Sequence, residues 1–495
     1  MDQLGSSSIL EFLENKAILV TGGAGFLAKI FVEKILRSQP KVKKIYLLLR
    51  AADNKAANQR LQNEVIGKGL FEVLKQKMGT KFSSFIQEKV RVVAGDITFD
   101  DLGIKGSDLK EELLKEVDVI VNLAATTNFD ERYDVSLHLN TFGAKNVIDF
   151  AKRCTNVKVL IQVSTAYVSG ERVGLILEDP YRIGDTLNGV AGLDIEAEKK
   201  LAQQKLNELR AEGASDESIK LAMKDMGIER SRNFGWPNVY VFTKALGEMM
   251  MLDLKGDIPL VIVRPTIVSS TYKEPFPGWV EGVRTIDSLV VGYGKGKLQC
   301  FLGDPTSVVD VIPADMVVNA MIVAMVAHAN QRSADTPIYQ VGSSVRNPLR
   351  FTLVHDVAHR YFVKHPWINK EGDPVIVGKV KVYGSISSFR RYITLKYLLP
   401  LKGLEVANTT FCQFFRGTYM DLSRKINFVL RLIDIYRPYL FFKGIYDDMN
   451  THKLRIEAAE SGMETDVFYF DPKVINWEDY FMYAHLPGLV RYVFK

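Results

Sequence analysis

Cysteine is scarce in this chain: three in 495 residues, Cys154, Cys300 and Cys412, far apart and without a CxxC pair. That spacing excludes a disulfide framework and a zinc cluster as organising devices, and a reducing compartment fits. No apolar run reaches the roughly eighteen residues needed to span a bilayer. The nearest stretches, YITLKYLLPL (392–401) and FVLRLIDIYRPYLFF (428–442), are cut by Lys, Arg, Asp or Pro. The opening MDQLGSSSILEFLENK has early acids and no long apolar segment, so it reads as neither a secretory signal nor an Arg-rich transit peptide. With 47% hydrophobic and 25% charged residues, disordered and fibrous classes are excluded, and the length allows a large core and two domains.

Charge is modest overall, +6, but unevenly placed. Between Lys379 and Lys443 twelve basic residues face three acids, so that stretch carries +9 and the remainder −3. Basic residues interleaved with Phe, Tyr and Leu suit an anionic surface or ligand; a solvated basic face has the same pattern.

The run AILV (17–20) is of strand type. Directly after it, TGGAGFLAKIFVEKIL (21–36) repeats Phe26, Leu27, Ile30, Phe31 and Ile35 at helical spacing. Gly22, Gly25 and Ala28 have the spacing of a dinucleotide-binding turn, in which small residues permit a tight bend and backbone N–H groups face a pyrophosphate. KIYLLLR (44–50) supplies a second strand ending in Arg50, where an NAD site commonly places an acid. A cation there suits the 2′-phosphate of NADPH, although it could also cap an exposed strand end. VRVVAGDIT (90–98), with Asp96 and Ile97 at its end, VDVIVNLAA (117–125) and VKVLIQVST (157–165) continue the alternation with helices. Apolar runs of this kind are strands buried on both faces, which predicts an α/β fold with a doubly wound parallel sheet of Rossmann type. Its ligands would lie where Asp96, the Asn122 to Ala125 segment and Thr165 emerge.

In NVYVFTKALGE (238–248), Tyr240 and Lys244 stand one helical turn apart. Such a pair can be a packed ring beside a snorkelling ammonium, or a phenol whose pKa the ammonium lowers for use as an acid.

TGGAGFLA, GDIT, NLAA, STAYVSG and YVFTK, in this order, resemble an extended short-chain dehydrogenase/reductase over the first two thirds of the chain. The resemblance implies a catalytic Thr165, Tyr240 and Lys244, with Ser164 as the alternative hydroxyl. It also implies cofactor contacts from Thr21, Gly22, Gly25, Phe26, Leu27, Arg50, Asp96, Ile97, Asn122, Ala124, Asn140, Tyr240, Lys244, Pro265 and Ile267. Asn140 in HLNTFGAK and Arg264-Pro265 after LVIV have plain readings too, a helix polar contact and a strand stop.

AATTNFDERYD (124–134), RPTIVSSTYKEPFPGWVEG (264–282), GYGKGKLQCFLGDPTSVVDVIPADMVVNAMI (292–322) and WEDYFMYAHLPGLVRYVFK (477–495) resemble the alcohol-forming fatty acyl-CoA reductases of plants. This resemblance implies NADPH-dependent reduction of a long-chain fatty acyl-CoA to a primary alcohol and CoA through an aldehyde. It also implies a reductase domain over 1–370, a smaller, mostly helical C-terminal domain over 371–495, and peripheral attachment to the cytosolic face of the endoplasmic reticulum. An extended reductase acting on a nucleotide sugar or small carbonyl, and a non-catalytic NADPH-binding protein, are the competing classes. The charged segment 196–227 reads as a helical pair serving as a solvated lid or spacer. The cysteines read as packing residues rather than acyl-accepting thiols, and His355 and His359 in HDVAH as structural, because the Glu and third ligand of a zinc helix are missing, so no metal is expected. The aromatic stripe FCQFFRGTYMDL (411–422) suits an acyl tunnel or core packing.

Overall fold

A computed structural model describes residues 8–283, 285–298, 300–410 and 413–494; Cys412, one of the three expected packing cysteines, lies outside them. The chain forms two compact units: Met1–Gly282, Asp310–Pro348 and Ile445–Lys495 make the first, Val283–Val309 and Leu349–Gly444 the second. The division expected at residue 370 does not coincide with these units, since Ile445–Lys495 belongs with the first unit.

The first unit is built on seven parallel strands: β1 (Ala17–Thr21), β2 (Lys44–Leu49), β3 (Val90–Ala94), β4 (Val119–Asn122), β5 (Val159–Val163), β6 (Leu260–Pro265) and β7 (Ile338–Val341). Their order is β3-β2-β1-β4-β5-β6-β7, with Leu19 registered beside Tyr46 and Ile120. The apolar runs are buried on both faces, and β1, β4 and β5 expose no residue, as a sheet covered twice by helices requires. The order reverses between β1 and β4, so a crevice opens beyond the C-terminal ends of those two strands.

Helix α1 (Phe26–Ser38) leaves the glycine turn, and α2 (Gly143–Arg153) lies on the cluster of Leu19, Ile120 and Leu160. Next come α3 (Ile195–Ala211), α4 (Asp216–Asn233), α5 (Val239–Leu254) and α6 (Ala314–Ala327). Asn238 starts α5 by accepting a hydrogen bond from the Val241 N–H at 3.2 Å, and the helix is buried nearly all round, the mark of a core helix.

The helical pair α3 and α4 is not a solvated lid. It buries Ile195, Ala202, Leu206, Ile219 and Met223 against Trp236, Val239 and Phe242 of α5 and the segment before it. Charge on the outer faces hid that stripe: the pattern is amphipathic, and the apolar side has a partner.

The second unit is mostly helical, with helices at Thr285–Gly294, Phe351–Lys364, Ile386–Ile393, Leu399–Thr410 and α7 (Arg416–Leu440), and a parallel pair of Cys300–Leu302 with Lys381–Tyr383. Leu302, Phe389 and Ile393 form one small core cluster in it. Among the described residues, no helix is long and apolar enough to cross a membrane.

Gly22 carries the turn between β1 and α1. Its φ is +64°, and a Cβ there would stand 2.7 Å from the backbone N and Cα of Ala124. Gly22→Ala is expected to lower unfolding free energy by more than about 1 kcal/mol and weaken dinucleotide binding. Urea unfolding and NADPH fluorescence titration check the two effects.

Candidate active site

The crevice floor is a hydrogen-bond relay across three strand ends. Thr21 Oγ1 donates to Asn122 Oδ1 at 2.5 Å, Asn122 Nδ2 donates to Gln162 Oε1 at 2.7 Å, and Thr21 Oγ1 accepts the N–H groups of Leu123 and Ala124 at 3.2 Å. β1, β4 and β5 are thereby held level, and Gly22 presses on Ala124 above them. Gly25 is the N-cap of α1 and, as a glycine, gives the helix no side-chain cap. Phe26 is buried and stacked on Trp279, centroids 5.2 Å apart, while Leu27 is half-buried.

Arg50 is exposed just beyond β2, and its carbonyl accepts a hydrogen bond from Arg60 Nη1 at 2.7 Å. Asp96 lies beyond β3 and accepts the Thr98 N–H at 2.9 Å; Ile97 is buried and its carbonyl receives Asn146 Nδ2 at 2.8 Å. Pro265 ends β6, and Ile267 is half-buried in a short strand, Ile267–Ser269, paired with Val311–Pro313.

Thr165 follows β5 and caps a short turn, its Oγ1 accepting the Tyr167 N–H at 3.3 Å. Its hydroxyl proton stays available to donate elsewhere. Neighbouring Ser164 Oγ is buried without a hydrogen-bond partner. Lys244 on α5 is buried, and its ammonium donates to the Val163 carbonyl at 2.7 Å, which ties α5 to the end of β5 beside Thr165. Burial pushes the Lys244 pKa down to about 8, and the carboxylate of Glu248 pulls it up against that trend. Tyr240, one turn earlier, is half-buried with its ring stacked on Phe129, centroids 5.5 Å apart and planes within 12°.

Asn140 connects two elements. It donates to Thr243 Oγ1 of α5 at 3.0 Å and to the Thr126 carbonyl at 3.1 Å, and accepts the Thr126 N–H at 3.0 Å. Gly247 lets α5 come this close, because a Cβ there would meet the Asn140 carbonyl oxygen at 2.4 Å.

Thr21, Gly22, Asn122 and Ala124 are thus gathered at the crevice floor, and Thr165, Lys244 and Asn140 are tied to the same strand ends through α5. Arg50 and Asp96 sit at their own strand ends. Two residues escaped the sequence reading. Glu248, one turn after Lys244, forms a buried pair with Arg264 of β6, 2.6 Å from Nη2 to Oε2; its helical spacing from Tyr240 and Lys244 was the available signal. Phe129 gave no signal, since its stack with Tyr240 is a long-range contact.

Neither described thiol is activated. Burial pushes Cys154 up to about 12 and raises Cys300 as well. His359 Nδ1 lies 2.9 Å from the Tyr293 hydroxyl. Among the described residues, no three His, Cys, Asp or Glu side chains converge as a metal set.

A doubly wound sheet with a glycine turn at its switch point and a Tyr–Lys helix behind β5 defines a nucleotide-dependent reductase of the extended short-chain type. Solved structures with this fold include the reductase domain of a nonribosomal peptide synthetase from Mycobacterium tuberculosis, at TM-score 0.57 and 16% identity over 97% of this chain and 92% of that one. The terminal R domain of the myxalamid PKS-NRPS pathway follows, at TM-score 0.55 and 15% identity over 97% and 91%.

In sequence, the Male sterility protein family matches residues 20–321 with its NAD-binding region and 396–495 with a second region of the same description. The chain is 64% identical over the full length of both chains to an alcohol-forming fatty acyl-CoA reductase of Simmondsia chinensis. It is 52% identical to fatty acyl-CoA reductase 1 of Arabidopsis thaliana over 99% of each, and 27% identical to fatty acyl-CoA reductase 2 of Homo sapiens over 99% of this chain and 87% of that one. The chain belongs to the fatty acyl-CoA reductase family.

Because the folded pKa of Lys244 lies below the free value of 10.5, burying the cation costs stability in full below pH 8, and the cost fades as pH rises to 10.5. The unfolding free energy of Lys244→Met, relative to the parent, should therefore fall by on the order of 3 kcal/mol across that window. Urea unfolding at pH 7.5 and 10 tests this. Glu248→Gln strands the buried Arg264 charge and should cost about 3–5 kcal/mol at pH 7 by the same measurement.

Proposed function

We propose that this protein reduces long-chain fatty acyl-CoA to a primary alcohol and free CoA with NADPH, through an aldehyde. The observation that carries this reading is identity of 64% to an alcohol-forming fatty acyl-CoA reductase across the entire chain. The residues at the crevice fit a dinucleotide: Gly22 leaves room that a Cβ would fill, α1 starts from a glycine cap that carries no side chain, and Thr21 and Asn122 hold the floor level. Arg50 would hold the 2′-phosphate that distinguishes NADPH from NADH, with a planar fork suited to it.

Two NADPH molecules, bound in turn, would each supply one hydride, the first for thioester to aldehyde and the second for aldehyde to alcohol. Thr165 and Tyr240 donate hydrogen bonds to the carbonyl oxygen and stabilise the oxyanion that forms on it. When that oxyanion collapses, the carbon–sulfur bond breaks and CoA leaves as the thiolate. In the second reduction Tyr240 gives its proton to the alkoxide, with the Lys244 cation one turn away on the same helix to favour the phenolate left behind. No acyl-enzyme is needed, which accords with Cys154 and Cys300 being held as thiols.

Attachment to the cytosolic face of the endoplasmic reticulum is part of the same reading. In the second unit, Leu395, Leu399, Val406, Phe414, Met420 and Leu422 are exposed, Phe414 by 82%. Arg390, Arg391, Lys396, Lys402, Arg416, Arg424 and Lys425 interleave with them in the sequence. Apolar side chains among cations support peripheral contact with an anionic lipid surface.

Purified protein incubated with NADPH and a panel of acyl-CoA lengths should yield primary alcohols. Tyr240→Phe should lower the rate by at least about 100-fold, and Thr165→Val should lower it more than Ser164→Ala. Arg50→Ala should raise KM for NADPH by about tenfold and leave KM for NADH unchanged. Absence of thioester reduction with NADPH still bound would favour a small-carbonyl or non-catalytic protein. Recovery of the protein in the supernatant of a low-salt fractionation would refute the membrane assignment.

A further inference from the structure

The loop between β4 and the Tyr133 helix takes no part in the scheme above, yet it is pinned at both ends and carries one aromatic ring onto the reacting phenol. At its start, Thr126 is held from both sides by the Asn140 amide. At its far end, Asp130 pairs with Lys224 of α4 at 3.1 Å. Just beyond, the Tyr133 hydroxyl donates to Glu198 of α3 at 2.6 Å, and Glu198 also receives Arg230 of α4 through Nε at 3.0 Å. Glu198 is 3% exposed, so removing Arg230 would strand a buried charge. Between these anchors Phe129 lies parallel to Tyr240 at 5.5 Å.

A tyrosine in a helix has two rotatable side-chain bonds, and a hydroxyl at the end of that lever moves by ångströms when the ring turns. Asn140, through Thr243, braces the α5 backbone at Tyr240, and the half-buried ring packs against the cluster that holds Trp236 and Phe242. A parallel aromatic neighbour on a pinned loop restricts the ring plane further, and offset stacking contributes about 0.5–1.5 kcal/mol toward that one orientation.

We propose that Phe129 is a positioning residue for Tyr240, and that α3 and α4 serve the reaction by holding the Phe129 loop in place. This inference rests on the reading of Tyr240 as proton donor. The inserted helices, remote from the strand ends, thereby act on chemistry through one stacked pair.

The test uses the full chain with NADPH and an acyl-CoA that the parent reduces. Phe129→Leu is expected to lower kcat about 10–100-fold, with KM for acyl-CoA within about threefold of the parent and NADPH affinity and melting temperature unchanged. Phe129→Tyr, which keeps the ring, should recover most of kcat. Lys224→Met should lower kcat several-fold in the parent background and have no further effect in the Phe129→Leu background, because both act through one stack. Parent kcat in Phe129→Leu, an effect confined to KM, or additive losses in the double variant would each overturn the inference while leaving Tyr240 in its role. A parent that reduces no acyl-CoA would overturn the functional reading and this inference with it.

Discussion

A lysine cation without water around it must be held by oxygen atoms of the protein, and the active-site half of the first unit is arranged to supply them. Lys244 is fully buried and finds the Val163 carbonyl at 2.7 Å. The Glu248 carboxylate on the next turn favours its charged form, and is itself neutralised by Arg264. Those contacts join α5 to β5 and β6 and hold the Tyr240 backbone over the strand ends. Replacing the lysine by an apolar side chain would relieve the desolvation cost, so its retention accords with a role for the charge itself.

The same tolerance of buried charge recurs along α1. Lys29, Glu33 and Lys34 are all nearly inaccessible, with Lys29 paired to Glu281, Lys34 to Glu274, and Arg37 bridging Glu33 and Glu274. Burial raises the Glu33 carboxyl to about 7, while lowering Lys29 and Lys34. Together with Phe26 stacked on Trp279, these pairs clamp the segment after β6 against the dinucleotide helix. In such surroundings each charge needs its partner more than it contributes net stability. Geometry rather than stability is the return on these contacts.

Much of the nucleotide half was legible in the linear order of residues. AILV, KIYLLLR and VKVLIQVST are runs that only a doubly covered parallel strand can bury, and Gly22 stands where the backbone must take a positive φ against Ala124. Tyr240 and Lys244 share a face because α5 begins at its Asn238 cap and runs unbroken through both. The helical pair was legible as helices but not as packing, since periodicity shows that an apolar stripe exists and not what covers it. The two-unit division was also hidden: Asp310–Pro348 and Ile445–Lys495 return to the first unit from far along the chain.

The sequence by itself determined the strand and helix alternation, the glycine turn, the helical register of the Tyr–Lys pair and, through whole-length resemblance, the family. Those features follow from local rules, steric and periodic, that act within a few residues. Only the tertiary structure decided that Glu248 is neutralised by Arg264, that Glu198 ties both inserted helices to Tyr133, and that Phe129 lies on Tyr240. These contacts join residues as many as 111 positions apart, where pairing depends on how layers stack rather than on what precedes or follows in the chain.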